Sequence, residues 1–240
     1  MRRARQLIMA ATTGSVVAGS NGSTWTNHAT LSSGAWKSLC FGNGLFVAVR
    51  AGLASTSTNG VTWTDHTASV YSLMDVTYGN GLYLAITDGL YAVTSPDGIT
   101  WTLRTQSIAN SNGKSVAFGG GQFVMTSNSA VDTLSTPDGI TWSHNFMPSA
   151  GTWNCVGYGG SQFVAVNGGT TVAATSPDGV TWTARTLPSA LTWTSVVYGN
   201  GTWVAIASST SSMATSPDGI TWTTHTMPSS GAWTALTFGN

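Results

Sequence analysis

The chain has 240 residues, with 8 basic and 8 acidic side chains, four His, two Cys and a formal net charge of zero. Only 7% of it is charged, every acidic residue is Asp, and 11 Trp and 29 Gly stand among many Ser, Thr and Asn. This excludes a disordered chain and a nucleic-acid binder with its basic excess, and no apolar run nears the roughly 20 residues of a membrane helix.

In chain order, Met1 to Arg5 reads as a short basic arm. Leu7-Ile8-Met9-Ala10 aligns with Tyr83-Leu84-Ala85-Ile86 further on and reads as a strand. The stretch from Leu7 to Ala18 faintly resembles a signal peptide, but Thr12, Thr13, Gly14 and Ser15 interrupt its apolar part. Gly19-Ser20-Asn21-Gly22-Ser23-Thr24-Trp25 then opens a series. It returns as Ser57-Thr58-Asn59-Gly60-Val61-Thr62-Trp63, and in stronger form over Ser95–Trp101, Thr136–Trp142, Ser176–Trp182 and Ser216–Trp222. The closing Trp residues lie 38, 38, 41, 40 and 40 residues apart, so the chain repeats about every 40 residues.

Each repeat predicts four short strands. In one unit Thr194 to Tyr198 alternates and ends at Gly199-Asn200-Gly201, where Asn-Gly supplies the two positive-φ residues of a tight hairpin. Trp203 to Ile206 is the second strand and Ser212 to Thr215 the third. Pro217-Asp218-Gly219 turns the chain, and Ile220 to Thr223 is the fourth. The chain ends on Trp233 to Asn240, a first strand without a second, while Leu7 begins a second strand without a first. These units predict an all-β six-bladed β-propeller with four antiparallel strands per blade. It is expected to form one domain over residues 1–240, closed as a monomeric ring by a blade that both termini share, which removes two open sheet edges.

Ser-x-Asp-Gly-x-Thr-Trp resembles the Asp box of sialidase-type (BNR) propellers, in the version with no residue between Asp and Gly. The resemblance implies a structural turn on the face opposite an active site. Asp97, Asp138, Asp178 and Asp218, with Trp101, Trp142, Trp182 and Trp222, are then fold residues, and Asn21 and Asn59 keep an Asx-type turn. It does not extend to sialidase activity, which needs an arginine triad and a Tyr–Glu pair: the chain lacks Glu, and outside the arm its arginines are Arg50, Arg104 and Arg185. It is most similar to the non-catalytic lectin and phage-tail adhesin members.

No catalytic residue, metal ligand set or cofactor motif emerges, and the chain reads as not an enzyme. His28, His66, His144 and His225 fall on fourth strands of different repeats, too dispersed for a metal shell. Cys40 and Cys155 sit on first strands in opposite blades, beyond disulfide reach. Gly119-Gly120-Gly121 replaces a hairpin turn and precedes a strand, unlike a phosphate loop. Carboxylates for glycoside hydrolysis would have to come from Asp65, Asp75, Asp88 or Asp132, whose spacing marks no pair.

The variable loops, between strands two and three and between blades, share one face, where binding usually lives. Trp36, Trp153, Trp193 and Trp233 lead into first strands from that face, and Trp stacks on sugar rings; the alternative is that they seal neighbouring blades. Lys37 and Lys114 follow at one equivalent position and flank the strand of Asp75, a polar mouth to a central channel. The chain is therefore expected to recognise a glycan or cell-surface polymer, as a phage tail or adhesin component does. The alternatives are a protein-interaction scaffold and, third, a glycoside hydrolase. No nucleic acid or membrane insertion is expected. Free thiols fit synthesis in a reducing cytoplasm. On this reading Trp153→Ala and Trp193→Ala weaken binding more than stability.

Overall fold

The computed structural model describes residues 34–106, 112–128 and 131–238 in full, and the backbone of three strands nearer the N-terminus. The basic arm, the first turn string through Trp25, and Gly239-Asn240 lie outside the described residues. Two compact units emerge, residues 1–105 with 239–240 and residues 106–238.

In the first unit, β1 (Leu7–Ala10), β2 (Val16–Gly19) and β3 (Thr26–His28) form a three-stranded antiparallel sheet. A six-stranded antiparallel sheet follows in chain order: β4 (Ser38–Gly42), β5 (Leu45–Ser57), β6 (Thr64–Gly79), β7 (Leu82–Thr87), β8 (Tyr91–Ser95) and β9 (Thr102–Thr105). In the second unit, β10 (Gly113–Gly119), β11 (Gln122–Ser127), β12 (Asp132–Thr136) and β13 (Ser143–Phe146) make a four-stranded sheet. Then β14 (Trp153–Gly159), β15 (Gln162–Ser176), β16 (Thr183–Gly199), β17 (Thr202–Ala207), β18 (Thr210–Ser216) and β19 (Thr223–Gly231) make another of six.

The Asn-Gly hairpins form as their residues dictate. Asn80 and Gly81 have φ of 48° and 76°, and Asn200 and Gly201 of 49° and 78°, the double positive φ of a type I′ turn. The long strands hold a second kind of turn. Leu45–Val49 of β5 pair with β4, while Ala51–Thr56 pair with β6. A methyl on Gly98 would touch both Val47 (3.1 Å) and Thr56 (3.4 Å). Residues nine apart on a straight strand would be separated by about 30 Å, so β5 folds back on itself, at Gly52 with φ 72°. β15 does the same: a methyl on Gly219 would touch Val164 (2.8 Å) and Thr175 (3.5 Å), and Gly169 has φ 81°.

The inner strands are buried on both faces, β7 without a break from Tyr83 to Thr87. Val47, Val49, Tyr83, Ala85 and Val93 pack in the first unit, and Val164, Val166, Trp193, Trp203 and Ala205 in the second. Each such aliphatic side chain removed from water contributes about 1.5–3 kcal/mol before entropy.

First strands are also laced to the equivalent segment one repeat on, which for Trp233–Phe238 is not a strand, a correction to the sequence expectation there. Ser38 Oγ accepts the Val76 amide at 3.3 Å, Ser115 Oγ the Val156 amide at 3.3 Å, and Ser195 Oγ the Leu236 amide at 3.0 Å. Tyr78, Tyr158, Tyr198 and Phe238 then lie on Gly42, Gly119, Gly159 and Gly199 so closely that a methyl there would stand within 2.3 Å of the ring. Glycine recurs there because the ring of the next repeat occupies the side-chain space.

Candidate functional site

The turns before the fourth strands close on their own residues. In one, Ser95 Oγ donates to Asp97 Oδ1 (2.9 Å) and accepts the Gly98 amide (2.8 Å). Asp97 Oδ1 also accepts the amides of Ile99 (2.9 Å) and Thr100 (2.8 Å), and the Trp101 indole donates to Gly98 O (3.0 Å). Asp138, Asp178 and Asp218 accept the equivalent pairs of amides. Asn59 does the same with Val61 and Thr62, so the turn needs the oxygen rather than the charge.

These bonds hold Asp97, Asp138 and Asp218 below the usual carboxylate value of 3.8, the amide at the box Thr being the main cause in each. For Asp178 partial burial is the largest influence and pulls upward, but the Thr181 and Val180 amides with Ser176 outweigh it. A carboxyl whose folded pKa is depressed stabilises the fold above its unfolded value and loses that contribution as pH falls through the folded one. We therefore expect urea midpoints to hold above pH 4 and to drop below it. Changing the four Asp to Asn should flatten that drop; an unchanged acid slope would show that other groups cause it.

The residues singled out for binding fare differently. Trp153 and Trp193 are wholly buried and Trp36 nearly so, at 6% exposure. Trp153 packs with Val156 and Phe163, and Trp193 with Val196 and Trp203. Their indoles donate to Ser149 O (3.2 Å) and Ser189 O (3.1 Å). Their ring faces are occupied by protein, so none of the three is a platform for a sugar, a correction to the sequence reading. Trp233 is 38% exposed. Lys37 is exposed and Asp75 half-buried in the first unit, where Ser38 Oγ donates to Asp75 Oδ1 at 2.5 Å. Lys114, half-buried, belongs to the second unit. At the positions equivalent to these lysines, Asn154 Nδ2 and Thr194 Oγ1 donate to the carbonyls of Trp193 and Trp233, both at 2.8 Å.

The outer strands carry a repeating polar rung. His66, Arg104, Asn145, Arg185 and His225 bond the third-strand hydroxyls of Thr56, Thr94, Ser135, Thr175 and Thr215. His144 pairs with Asp132 at 2.7 Å. Among the described residues no group of His, Cys, Asp or Glu could hold a metal ion. Asp65 accepts a bond from Ser55. Cys40 and Cys155 are free thiols; burial, then the Asp75 charge, pushes the Cys40 thiol far above its usual range, which keeps it un-ionised.

Sequence reasoning missed a cluster at the loop end of the first unit. Tyr71 and Tyr91 stack with ring centroids 4.5 Å apart and planes 22° apart. Val70 beside them is 90% exposed. The Arg50 guanidinium lies over the Trp36 ring at 5.3 Å. The available signal was departure from the repeat: Thr87, Ser127, Asn167 and Ala207 stand where Arg50 stands, and Gly34, Gly151, Leu191 and Gly231 where Tyr71 stands.

Residues 6–112 match the family described as the DUF6242 beta propeller domain. No curated protein matches the chain. Among solved structures it is similar to selenomethionine-substituted virginiamycin B lyase from Staphylococcus aureus, with TM-score 0.75 and 9% identity, covering 83% of this chain and 73% of that one. It is similar to YCF48 bound to D1 peptide, with TM-score 0.71 and 15% identity, covering 92% and 77%. It is also similar to a chain of the nidogen/laminin complex, with TM-score 0.66 and 14% identity, covering 88% and 89%. The chain thus has an all-β, propeller-like fold built from antiparallel sheets. The match supports the propeller part of the resemblance carried by the turn motif, and not its sialidase-type detail.

The comparison with the lyase also corrects the reading of the chain as not an enzyme. That reading rested on the absence of the sialidase set, a metal shell, a phosphate loop and a carboxylate pair from the sequence. A fold shared with a lyase shows that such a gap does not exclude chemistry of another kind.

Proposed function

We propose that the chain is an interaction propeller whose partner is a protein or peptide segment. The observation that carries this is its likeness, over 92% of its length, to a propeller-fold structure with a bound peptide. Burial of Trp36, Trp153 and Trp193 supports it, because the row of aromatic faces that a glycan reading needs is taken up by packing. Variable loops on a rigid sheet scaffold suit such a role.

The finer architecture that fits this reading is six blades of four strands. Because β5 and β15 fold back, and β6 and β16 pair with one neighbour over their first part and another over their second, each six-stranded sheet divides into two groups of four, the first being β4, the two halves of β5 and the start of β6. The four-stranded sheet supplies a fifth group, and strand sequence at both chain ends supplies the sixth. Solution scattering tests this: a compact ring profile is expected, and an elongated particle would sink it.

The function is tested by exposing the intact protein to a library of random peptides and to a glycan array in parallel. Selection of peptides with no glycan retained is the expected result. Selective glycan retention without any peptide would overturn it.

A further inference from the structure

On the four-stranded sheet of the second unit, the outer strand departs from the chain's own repeat, and the departures meet on one face. Phe146 stands where Thr67, Thr105, Thr186 and Thr226 stand in other repeats, and His144 where Asp65, Leu103, Ala184 and Thr224 stand. Across the ladder Phe146 is in register with Asp132. The residues in register with those four threonines are Leu53, Tyr91, Val172 and Ser212, so none of these repeats has a carboxylate there.

Directly opposed residues of an antiparallel pair carry their side chains on the same face, with Cβ atoms about 4.5–5.5 Å apart. Phe146 and Asp132 are therefore neighbours, and His144, on the same face of β13, joins them. The His144 ring lies against the Phe146 ring, with centroids 4.6 Å apart. Its Nε2 donates to Asp132 Oδ1 at 2.7 Å; an ionised carboxylate only accepts, so this nitrogen carries the proton. The bond fixes the direction of the carboxylate and leaves Oδ2 without a partner among the described residues. The backbone beneath is pinned as well, because Asp132 O accepts Ser127 Oγ at 2.8 Å and Val131 O accepts the Met147 amide at 2.6 Å.

All three side chains reach water. Phe146 is 61% exposed, and the His144 and Asp132 side chains are 33% and 28% exposed. Among the described residues no Lys or Arg pairs with Asp132, and Arg185 is held by Thr175. Asp132 also opens β12 directly after one of the variable loops, where binding usually lives. In a chain with 7% charged residues, a fixed carboxylate beside an exposed phenyl ring calls for a cation that can also stack. A guanidinium does both, donating in its plane and lying flat on a ring, whereas an ammonium has no plane to stack.

We propose that Asp132, His144 and Phe146 form a docking site for an arginine side chain of a peptide or protein segment. The guanidinium donates to Asp132 Oδ2 and covers the open face of Phe146, while His144 holds the carboxylate in place. This rests on the reading of the chain as a peptide-binding propeller and names a place and a chemistry for that binding.

The test is selection from a phage-displayed library of random peptides on the intact protein, followed by titration of the selected peptide. The expected consensus contains Arg. Phe146→Thr restores the residue of the other repeats, and Asp132→Asn keeps an oxygen for His144, so folding is retained. Each should weaken binding about tenfold or more, the scale of an interface hot spot. Added salt should weaken it as well. Asp88→Asn, at an exposed carboxylate of the first unit, should leave it unchanged. Peptides without Arg, peptides that bind as well with Lys in its place, or peptides indifferent to both substitutions overturn this site while peptide binding itself survives. Failure to select any peptide overturns both.

Discussion

Replacing Trp153 or Trp193 by Ala is expected to remove about 3–5 kcal/mol of stability, read as a large drop in urea midpoint. Both indoles are wholly buried, and each also donates to the carbonyl of the residue four positions before it. The substitution leaves a cavity between strands and frees the connector that the indole staples. Against the 5–15 kcal/mol typical of a folded domain, this approaches global unfolding. Trp233→Ala, at a site 38% exposed, should cost far less. The loss at Trp153 and Trp193 is thus one of stability, where the sequence reading expected binding to suffer more than stability. Loss of stability under about 1 kcal/mol at Trp153, where a buried aromatic should cost several times more, would contradict the packing described.

Gly179→Ala and Gly201→Ala form a matched pair that separates two reasons for a glycine. Both residues have positive φ, 74° and 78°. Either substitution therefore carries the left-handed penalty, about 1–2 kcal/mol. At Gly201 a methyl would meet nothing within 4 Å, whereas at Gly179 it would stand 2.3 Å from Val124 Cγ2 and 3.4 Å from Phe163. Overpacking adds about 1–3 kcal/mol, so Gly179→Ala should be the worse of the two by that margin. Equal losses in chemical denaturation would mean that the turn does not press on the preceding strands as described.

How legible these features were depends on how local their causes are. Asn80-Gly81 and Asn200-Gly201 announce their hairpins because two adjacent residues set the backbone. Asp97 and its equivalents announce theirs because the bonds run only two or three residues along the chain. The side of a strand that is buried is another matter. Trp153 and Trp193 look alike as stacking platforms or as seals until the neighbouring strands are in place. Tyr71 and Tyr91 are twenty residues apart, and only the β6–β7 and β7–β8 pairings bring them together. Exclusion of an enzyme failed for a different reason: the familiar catalytic sets are only a few of those that one fold accommodates.

The self-contained closure of the Asp97-type turns bears on how the chain reaches its native state. Each turn completes its bonds within seven residues, so it needs no long-range contact and can order early, where loop closure is least costly. Folding then starts at several equivalent points rather than at one nucleus. Ser95–Trp101 and Ser216–Trp222 are identical in sequence, and Ser176–Trp182 differs from them only by Val180 for Ile. Strands grown from one point therefore fit the neighbours of another almost as well, and the competing states are register exchanges between repeats, within a chain or between two. The expected signature is a slow refolding phase that lengthens as protein concentration rises, with exchanged dimers as its product.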